Sequence, residues 1–367
     1  MSTLYIGVMS GTSLDGVDAV LADFSNGVQV RGHQALPFDD SLRETFFQLN
    51  QSGPDELHRA ALSANALARL YAQAVQRLLV QTGVAATEVA AIGAHGQTVR
   101  HQPGQYDGTG YTWQINNPSL LAELTGIRVV ADFRSRDLAA GGQGAPLVPA
   151  FHHHLFAPLG HSVAVLNIGG ISNVSLLSPH EVRGFDCGPG NVLLDHWCQR
   201  HTGQAFDLDG AWAATGQVHT PLLSHLLREP FLQQSPPKST GRDLFHGDWL
   251  NTQLQSFEPL AAADVQATLT AFTAQICVND IQRHAPEVSR VLVCGGGAYN
   301  RYLMHRLQQG LPAMTVSSTE AVGLPPLQVE AAAFAWLAQQ TCMHLPGNLP
   351  GVTGAAGLRV LGGVYPA

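Results

Sequence analysis

Short apolar runs alternate with polar, glycine-containing turns at the start of the chain. Residues 4–11 form an apolar, β-branched run that ends in a Gly/Ser/Thr turn. Residues 18–24 and 26–38 predict two further strands, with Asn26 and Gly27 at the hairpin turn between them. We therefore expect two consecutive hairpins, with a polar glycine loop between the first two strands.

Helical and extended patterns then alternate. Apolar side chains recur at three- and four-residue steps over residues 55–82, which predicts a long helix with Gly83 as its C-cap. Residues 89–100 and 127–137 predict strands, the second ending in charged residues, and residues 118–126 predict a short helix between them. This alternation indicates an α/β fold.

The second half of the chain repeats the opening theme. Residues 162–178 predict a strand, a Gly/Ser/Asn turn and another strand, which echoes the first loop. Residues 289–310 predict a strand, a glycine-rich turn and a helix. Further helices are predicted at residues 191–201, 221–228, 263–284 and 330–340.

A Gly/Pro-rich stretch marks the main domain change, which we place within residues 128–149. The expected domains are residues 1–130 and residues 131–339. The C-terminal segment, residues 340–367, is a candidate to complete the first domain.

Composition narrows the function classes. A chain of 367 residues suggests about two domains, and 45% apolar against 13% charged residues is ample for a folded core. A net charge of −8 without long basic runs argues against a nucleic-acid or anionic-membrane surface. We expect neither a secretory signal nor a membrane span, and five scattered cysteines without a C-x-x-C pair fit a reducing cytoplasm.

The first glycine-rich segment, residues 7–18, has the composition of a phosphate-binding turn. Its glycines allow several backbone N–H groups to face one anion, and its hydroxyls add donors. Asp15 or Asp18 could hold a hydrated Mg²⁺ beside the phosphates. The structural alternative is a plain polar hairpin turn. The predicted nucleotide contacts are Gly11, Thr12, Ser13, Leu14, Asp15, Gly16, Val17 and Asp18.

Two further glycine turns, residues 167–173 and 294–300, are candidates for the same ligand. The first could clamp the same phosphate chain, and the second lies between a strand and a helix, where glycine allows a nucleotide to approach closely. The alternatives are an ordinary turn and tight strand–helix packing. The residues concerned are Asn167, Gly169, Gly170, Gly295, Gly296 and Gly297.

Asp186 is the candidate catalytic base. It precedes a Gly-Pro turn and a predicted helix. An ionised carboxylate can accept a proton from a hydroxyl or from water, but an Asp in this setting commonly caps a helix. The local sequence leaves both possibilities open. Cys187 is expected to be a buried filler, because no His or Lys motif adjoins it.

Other polar residues lie where α/β sheets usually bind ligands. His95 and Thr98 are at a predicted strand end. Arg134 and Arg136 belong to a charged cluster that could equally be a solvated salt-bridge network. Glu330 opens an apolar helix, where a first-turn charge is the alternative interpretation.

Two segments have a weaker signal. The Lys/Ser/Thr-containing loop at residues 238–242 is either a lid or a surface loop. The consecutive histidines at residues 152–154 are not expected to bind a metal, because neighbouring side chains diverge on a strand or a helix.

Several long motifs together resemble the anhydro-N-acetylmuramic acid kinase family. The resemblance runs from Gly7 to about Ala338. One departure lies at Asn116, near which we expect a glycine. The motifs are V-M-S-G-T-S-x-D-G-x-D, H-G-Q-T, D-F-R-x-x-D-x-A-A-G-G-x-G-A-P-L-V-P, N-I-G-G-I-x-N, G-F-D-x-G-P-G-N, P-P-K-S-T-G-R and C-G-G-G-x-x-N.

The resemblance implies a two-lobed, actin-like (ribonuclease H-like) sugar kinase fold with ATP in the interdomain cleft. It implies ATP and Mg²⁺ as cofactors, an anhydro amino sugar as substrate, a homodimer, and no nucleic-acid or membrane partner. The implied reaction opens the 1,6-anhydro ring of 1,6-anhydro-N-acetylmuramic acid and phosphorylates O6. The products are N-acetylmuramic acid 6-phosphate and ADP, in peptidoglycan recycling.

In that reaction O6 is tied to C1 and carries no proton, so Asp186 is expected to activate a water that attacks C1. By resemblance, Thr98, Glu330 and either Arg134 or Arg136 contact the sugar or its lactyl carboxylate. His95 is grouped with them. Three rivals stay open: a kinase of the same fold acting on an ordinary sugar hydroxyl, an actin-like ATPase switch, and an ATP-dependent amide hydrolase of the hydantoinase type.

Overall fold

The computed structural model describes residues 2–11, 14–156, 162–178, 181–236, 238–241 and 244–367. The strands are β1 (Leu4–Ser10), β2 (Gly16–Asp23), β3 (Gln29–Pro37), β4 (Val89–Pro103), β5 (Gly110–Ile115), β6 (Val129–Ala131), β7 (Val163–Ile168), β8 (Ile171–Leu177), β9 (Val182–Pro189), β10 (Arg290–Cys294), β11 (Thr315–Ser318) and β12 (Gly363–Tyr365). The helices are α1 (Asp40–Leu49), α2 (Glu56–Thr82), α3 (Pro118–Thr125), α4 (Ser135–Ala139), α5 (Val148–Phe156), α6 (Val192–Thr202), α7 (Thr220–Leu226), α8 (Gly247–Leu254), α9 (Ala262–His284), α10 (Arg301–Gly310), α11 (Val329–Cys342) and α12 (Pro350–Thr353).

The chain divides into two compact units, Met1–Leu155 with Gln328–Ala367, and Phe156–Leu327. These bounds differ from the expected ones at residues 130/131 and 339/340. Side-chain bonding explains part of the difference, because the buried Asp137 carboxylate accepts hydrogen bonds from Asn348 (2.7 Å) and Thr353 (2.8 Å). Residues 131–155 and the C-terminal segment therefore belong to one unit.

The first unit contains a mixed sheet in the order β12-β6-β4-β1-β2-β3, with β5 paired to β4. Strands β1, β2 and β3 are antiparallel neighbours, whereas β4 runs parallel to β1 and β6. The two predicted N-terminal hairpins are thus confirmed. Gly27 adopts a positive φ of 78° in the second of them, as its turn position requires.

The second unit repeats this arrangement in the order β11-β10-β7-β8-β9. Strands β7, β8 and β9 are antiparallel neighbours, and β10 runs parallel to β7 and β11. Two copies of one strand order, each with helices on a five-strand core, confirm the predicted actin-like (ribonuclease H-like) fold class. The location of ATP in an interdomain cleft stays a prediction.

Helix α11 lies directly on β1 and β4 in the first unit. A Cβ atom at Gly7 would lie 1.8 Å from the carbonyl oxygen of Ala331, and one at Gly93 would lie 2.0 Å from that of Phe334. Only glycine permits this approach of helix and sheet backbones. The two glycines therefore set the position of α11, whose first turn carries Glu330.

The helix predictions are confirmed in outline. Helix α2 covers residues 56–82, and Gly83 caps it in the left-handed region with φ 68°. Helices α3, α6, α7, α9, α10 and α11 lie where the sequence predicts them. Among the described helices, none is long and apolar enough to cross a membrane.

The predicted strand over residues 127–137 is wrong in its second half. Strand β6 ends at Ala131, Asp132 has a positive φ of 60°, and α4 begins at Ser135. The Asp132 carboxylate accepts hydrogen bonds from the hydroxyl (2.6 Å) and the backbone N–H (3.4 Å) of Ser135, and this local bonding turns the chain into the helix.

Candidate active site

The carboxyl ends of β7 and β10 bring two of the predicted glycine turns together. A Cβ atom at Gly295 would lie 2.5 Å from Oδ1 of Asn167, and one at Gly297 would lie 2.4 Å from Cγ2 of Ile168. Close packing therefore requires glycine at both positions. At Gly296 the Cβ direction is open, with the nearest heavy atom at 3.5 Å. The turn thus combines tight packing with an open face for a ligand.

The turn between β7 and β8 presents backbone donors. The carbonyl oxygens of Gly169 and Gly170 accept hydrogen bonds from the N–H groups of Asn191 (2.8 Å) and Gly190 (2.9 Å). Within the described part of the chain, no acceptor faces the N–H groups of Gly169 and Gly170 themselves. Successive free N–H groups at such a turn suit an anion.

Asp186 lies within β9, beside a β-bulge. Its partner on β8 is Asn173, whereas Ser172 pairs with Gly188, so Cys187 is the extra residue. Bulges of this kind re-aim neighbouring side chains and are common beside active sites. The N-cap residue of α6 is Asn191. The helix-cap interpretation of Asp186 is therefore excluded.

The two carboxylate oxygens of Asp186 have different surroundings. Oδ2 accepts hydrogen bonds from the Ser239 hydroxyl (2.9 Å) and the Thr240 backbone N–H (3.0 Å). Among the described residues, no donor contacts Oδ1. One oxygen is thus held while the other is available to accept a proton.

Burial raises the pKa of Asp186 above that of an ordinary aspartate. The Thr240 N–H, the Ser239 hydroxyl and the charge of Lys238 act in the opposite direction. A raised pKa makes a carboxylate a stronger base, which suits general-base chemistry. The neighbouring Cys187 is fully buried, and contact with Cys277 and burial raise the pKa of its thiol. Cys187 is therefore a buried thiol, as expected.

A buried ion pair anchors the segment that contacts Asp186. Nζ of Lys238 lies 2.9 and 3.2 Å from the two carboxylate oxygens of Asp280 in α9. The two side chains are 0% and 4% exposed. The same Nζ lies 5.8 and 5.3 Å from the ring centroids of Phe185 and Phe231. Residues 238–240 are therefore fixed to the second unit, which excludes the free surface loop considered above.

In the first unit, His95 occupies a buried position on β4. Burial, aided by the nearby Arg134 charge, lowers the pKa of His95 to about 3, so the imidazole is neutral at physiological pH. Nε2 lies 2.9 Å from Nη2 of Arg134 and must act as the acceptor, because a guanidinium only donates. The proton is thus on Nδ1, which faces the carbonyl oxygen of Ser10 at 3.3 Å.

Arg134 follows β6 and is fixed from two sides. Besides the His95 contacts, Nη1 donates to the carbonyl oxygen of Gly144 at 2.8 Å. Burial lowers the pKa of Arg134 to about 10, and the charges of Glu330 and Asp137 oppose this shift. Arg134 therefore stays cationic at neutral pH, close to Glu330. Arg136, by contrast, is exposed on α4.

The loop after β1 is described only in part, since Thr12 and Ser13 lie outside the described residues. The side chains of Leu14 and Val17 belong to the core of the first unit, so only their backbones could face a ligand. Oδ1 of Asp18 lies within hydrogen-bond distance of Nε2 of His33 (2.7 Å), and Asp15 is exposed.

The turn at Asn116 adjoins the strand that carries His95 and Thr98. Gly96 has φ 83°, and a Cβ there would lie 2.7 Å from the carbonyl oxygen of Ile115 and 3.2 Å from Cβ of Asn116. The Thr98 hydroxyl accepts a hydrogen bond from Gln114 (3.2 Å). The expected glycine is thus replaced by a residue that packs closely against Gly96.

Comparison with known proteins decides the family. A model described as anhydro-N-acetylmuramic acid kinase matches residues 3–367. The chain belongs to the anhydro-N-acetylmuramic acid kinase family.

Relatives of this family cover the chain from end to end. A protein named anhydro-N-acetylmuramic acid kinase from Variovorax paradoxus (strain S110) is 61% identical over 371 residues, covering 99% of each chain. One of the same name from Albidiferax ferrireducens is 56% identical over 389 residues, covering 100% of each. Among solved structures, an activator of 2-hydroxyisocaproyl-CoA dehydratase from Clostridium difficile with bound ADPNP has a TM-score of 0.49 at 12% identity, covering 93% of this chain and 96% of that one.

Within this anhydro-N-acetylmuramic acid kinase family member, the predicted residues form two groups. In the second unit, Asn167, Gly295 and Gly297 lie in contact range around the end of β7. In the first unit, His95 and Arg134 contact each other, and Glu330 acts on the Arg134 pKa.

Residues that the sequence interpretation did not assign to the site are Asp137, Asn191, Ser239 and Asp280. Ser239 belongs to the P-P-K-S-T-G-R motif, and the rarity of this motif was the sign that its residues have a function. Asp280 lies inside a long helix that is buried along most of its length, and an acidic residue among buried positions was the sign that a cation must lie opposite.

Proposed function

We propose that this chain phosphorylates O6 of 1,6-anhydro-N-acetylmuramic acid at the expense of ATP and hydrolyses its 1,6-anhydro bond. The products are N-acetylmuramic acid 6-phosphate and ADP, and the pathway is peptidoglycan recycling. Family membership over residues 3–367 supports this activity. The structural observation that carries the mechanism is the Asp186 carboxylate, whose Oδ2 is held by two donors while Oδ1 has no donor among the described residues.

Asp186 acts on water rather than on the sugar. O6 of the substrate is bonded to C1 and C6 and has no proton to give up. Asp186 takes a proton from a water whose oxygen bonds to C1, while the C1–O6 bond breaks. O6 then bonds to the γ-phosphorus and ADP leaves, after which Asp186 returns its proton to solvent. General-base assistance of this kind contributes about a hundredfold to ten-thousandfold in rate.

The nucleotide's phosphates fit the turn donors of the second unit. The N–H groups of Gly169 and Gly170 have no acceptor among the residues that the structure describes, and the open face at Gly296 leaves room for a ligand. ATP supplies the transferable phosphoryl group. We assign Asn167 and Gly295–Gly297 to the same binding surface, and in the first unit the loop from Gly11 to Asp18.

Magnesium fits the carboxylates of that loop, since Mg²⁺ prefers oxygen ligands and retains part of its water. We propose that Asp15 or Asp18 is the carboxylate nearest the metal. Magnesium titrations of Asp15→Asn and Asp18→Asn distinguish the two. Only the variant that loses the metal-linked carboxylate needs a higher Mg²⁺ concentration for half-maximal rate. A wild-type Mg²⁺ requirement in both variants would exclude both carboxylates.

The lactyl carboxylate of the sugar calls for a fixed cation. Arg134 fits better than Arg136, because His95 and the Gly144 carbonyl hold its guanidinium in one orientation. Neutral His95 acts as an acceptor that orients Arg134, and Glu330 and Thr98 complete the proposed sugar-contact set. The homodimer and the cytoplasmic location implied by the resemblance also remain proposals.

The product mass tests this function directly. Purified protein is incubated with ATP, Mg²⁺ and either 1,6-anhydro-N-acetylmuramic acid or N-acetylmuramic acid. The mass of the sugar product is then measured by mass spectrometry. We expect phosphorylation only of the anhydrosugar, with a mass gain of phosphoryl plus one water. A gain of phosphoryl alone would indicate a kinase without ring opening. ADP formed equally without either sugar would support the ATPase-switch alternative.

A further inference from the structure

A buried ion pair and the segment that it anchors lie directly against Asp186. We propose that the Lys238–Asp280 pair positions Asp186 for catalysis, by fixing residues 238–240 along the edge of β9 so that Ser239 and Thr240 hold Oδ2 and present Oδ1 to water. This inference rests on the proposed role of Asp186 as the base. Lys238, Asp280 and Ser239 are then positioning residues, since none of them needs to touch the substrate.

The segment is bound to the strand through its backbone as well as its side chains. Strand β9 is at the end of its sheet, so one side of its backbone has no neighbouring strand in the part of the chain that the structure describes. Residues 238–240 take that place, with the N–H of Asp186 donating to the carbonyl oxygen of Lys238 at 3.1 Å. An edge of this kind needs a partner, and here the partner also carries the donors to the carboxylate.

Successive side chains of the segment serve opposite sides of β9. Lys238 reaches inward to Asp280 and the rings of Phe185 and Phe231, whereas Ser239 reaches Asp186. The inward contact therefore determines where the outward donor lies. A change at Lys238 would move Ser239 and Thr240 without touching Asp186 itself.

Stability alone does not account for this pair. The desolvation penalty of burying a lysine and an aspartate offsets most of the free energy of their attraction. Apolar residues of similar size stabilise a core as well or better. What the ion pair adds is a fixed position for Nζ, which two carboxylate oxygens hold at 2.9 and 3.2 Å. Because Ser239 and Thr240 follow Lys238 directly, the fixed Nζ also fixes the two groups that donate to Oδ2 of Asp186.

The charges near Asp186 make the pH profile informative. In the described part of the chain, Lys238 lies on the anchored segment, and Asp280, His284 and the thiols of Cys187 and Cys277 lie around its ion pair. Of these, only Lys238 acts on the pKa of Asp186, and it lowers it. Loss of Lys238, or of the two donors, therefore raises the pKa of the base and moves the acidic limb of kcat/KM to higher pH.

The test compares three variants of the full chain in the anhydrosugar assay. Ser239→Ala removes one donor, Ser239→Thr retains the hydroxyl, and the double variant Lys238→Met/Asp280→Leu replaces the ion pair without leaving a buried charge. Arg31→Met, which removes an ion pair of the first unit, is the matched control. Each is measured for kcat, KM and the pH dependence of kcat/KM, with a thermal melt to verify folding.

We expect kcat to fall about tenfold in Ser239→Ala and about a hundredfold in the double variant, as loss of hydrogen bonds to a charged group implies. KM should change less than about twofold, the acidic limb should move to higher pH, and Ser239→Thr should recover most of the loss. A folded double variant with wild-type kcat and pH profile would overturn the proposal. If it does not fold, Ser239→Ala with an unchanged profile does so. An active Asp186→Asn would instead overturn the base itself.

Discussion

A methyl group added at Gly93 perturbs the contact between α11 and the central strands of the first unit. The new Cβ would lie 2.0 Å from the carbonyl oxygen and 2.8 Å from the carbonyl carbon of Phe334. Ordinary contact begins at 3.4 Å. Helix α11 must therefore move about 1.4 Å, because neither partner is a flexible side chain.

The movement has two consequences in Gly93→Ala. Overpacking of a backbone contact lowers the free energy of unfolding by about 3 kcal/mol, which corresponds to a Tm roughly 4 °C lower in a chain of this size. The ring of Phe334 also packs on that of His95, with centroids 4.6 Å apart. A shift of α11 therefore disturbs the His95–Arg134 contact, and we expect KM for the anhydrosugar to rise about tenfold.

Differential scanning calorimetry and steady-state kinetics measure both effects. Gly363→Ala is the matched control, because this strand glycine has a negative or extended φ and its added Cβ would meet no heavy atom nearer than 3.9 Å. The control should melt within about 1 °C of the wild type. A Gly93→Ala variant with a wild-type Tm and KM would refute the account of how α11 is positioned.

Two further predictions concern buried titratable side chains. Asp137→Ala removes the acceptor of hydrogen bonds from Gly144, Asn348 and Thr353, so the free energy of unfolding should fall by about 3 kcal/mol in urea titrations; a change under about 0.5 kcal/mol would contradict this. Burial lowers the pKa of His152 to about 3, from 6.5 when unfolded. Between these two pH values the unfolded chain therefore binds more protons than the folded chain. As the pH decreases below about 6.5, the free energy of unfolding falls by up to about 1.4 kcal/mol per pH unit. A folded His152→Gln variant should show a shallower loss, and an unchanged slope would contradict it.

The fold was predictable because its signals are local. Hairpin turns such as Asn26-Gly27, the helical repeat of α2 and its Gly83 cap each follow from a few adjacent residues. The echo between the first loop and residues 162–178 indicated two similar halves, and the five-strand cores of the two sheets have the same strand order.

What the sequence did not predict depends on contacts between distant residues. Strand β6 was predicted too long, because its end is set by Asp132 turning back on Ser135. Helix α1 and strand β5 were missed, although α1 has an apolar face and burial alternates along β5. The unit boundary depends on Asp137 bonding to residues more than 200 positions away, which no local pattern can reveal.

The candidate site shows the same division. Glycine motifs and Asp186 were visible as strings of unusual residues. Excluding the helix-cap interpretation of Asp186 required the structure, since it depends on where β9 ends and on the donors from Ser239 and Thr240. The partner of Lys238 could not be read from the sequence, because Asp280 lies 42 residues further along the chain.

The most direct test of the central claim is ADP release with and without 1,6-anhydro-N-acetylmuramic acid, for the wild type and for Asp186→Asn. Asparagine keeps the shape of the side chain and removes its basicity. We predict ADP release that depends on the anhydrosugar in the wild type and falls at least about a hundredfold in Asp186→Asn. Sugar-dependent release that persists at the wild-type rate in Asp186→Asn would contradict Asp186 as the base, and wild-type release indifferent to the sugar would contradict the kinase itself.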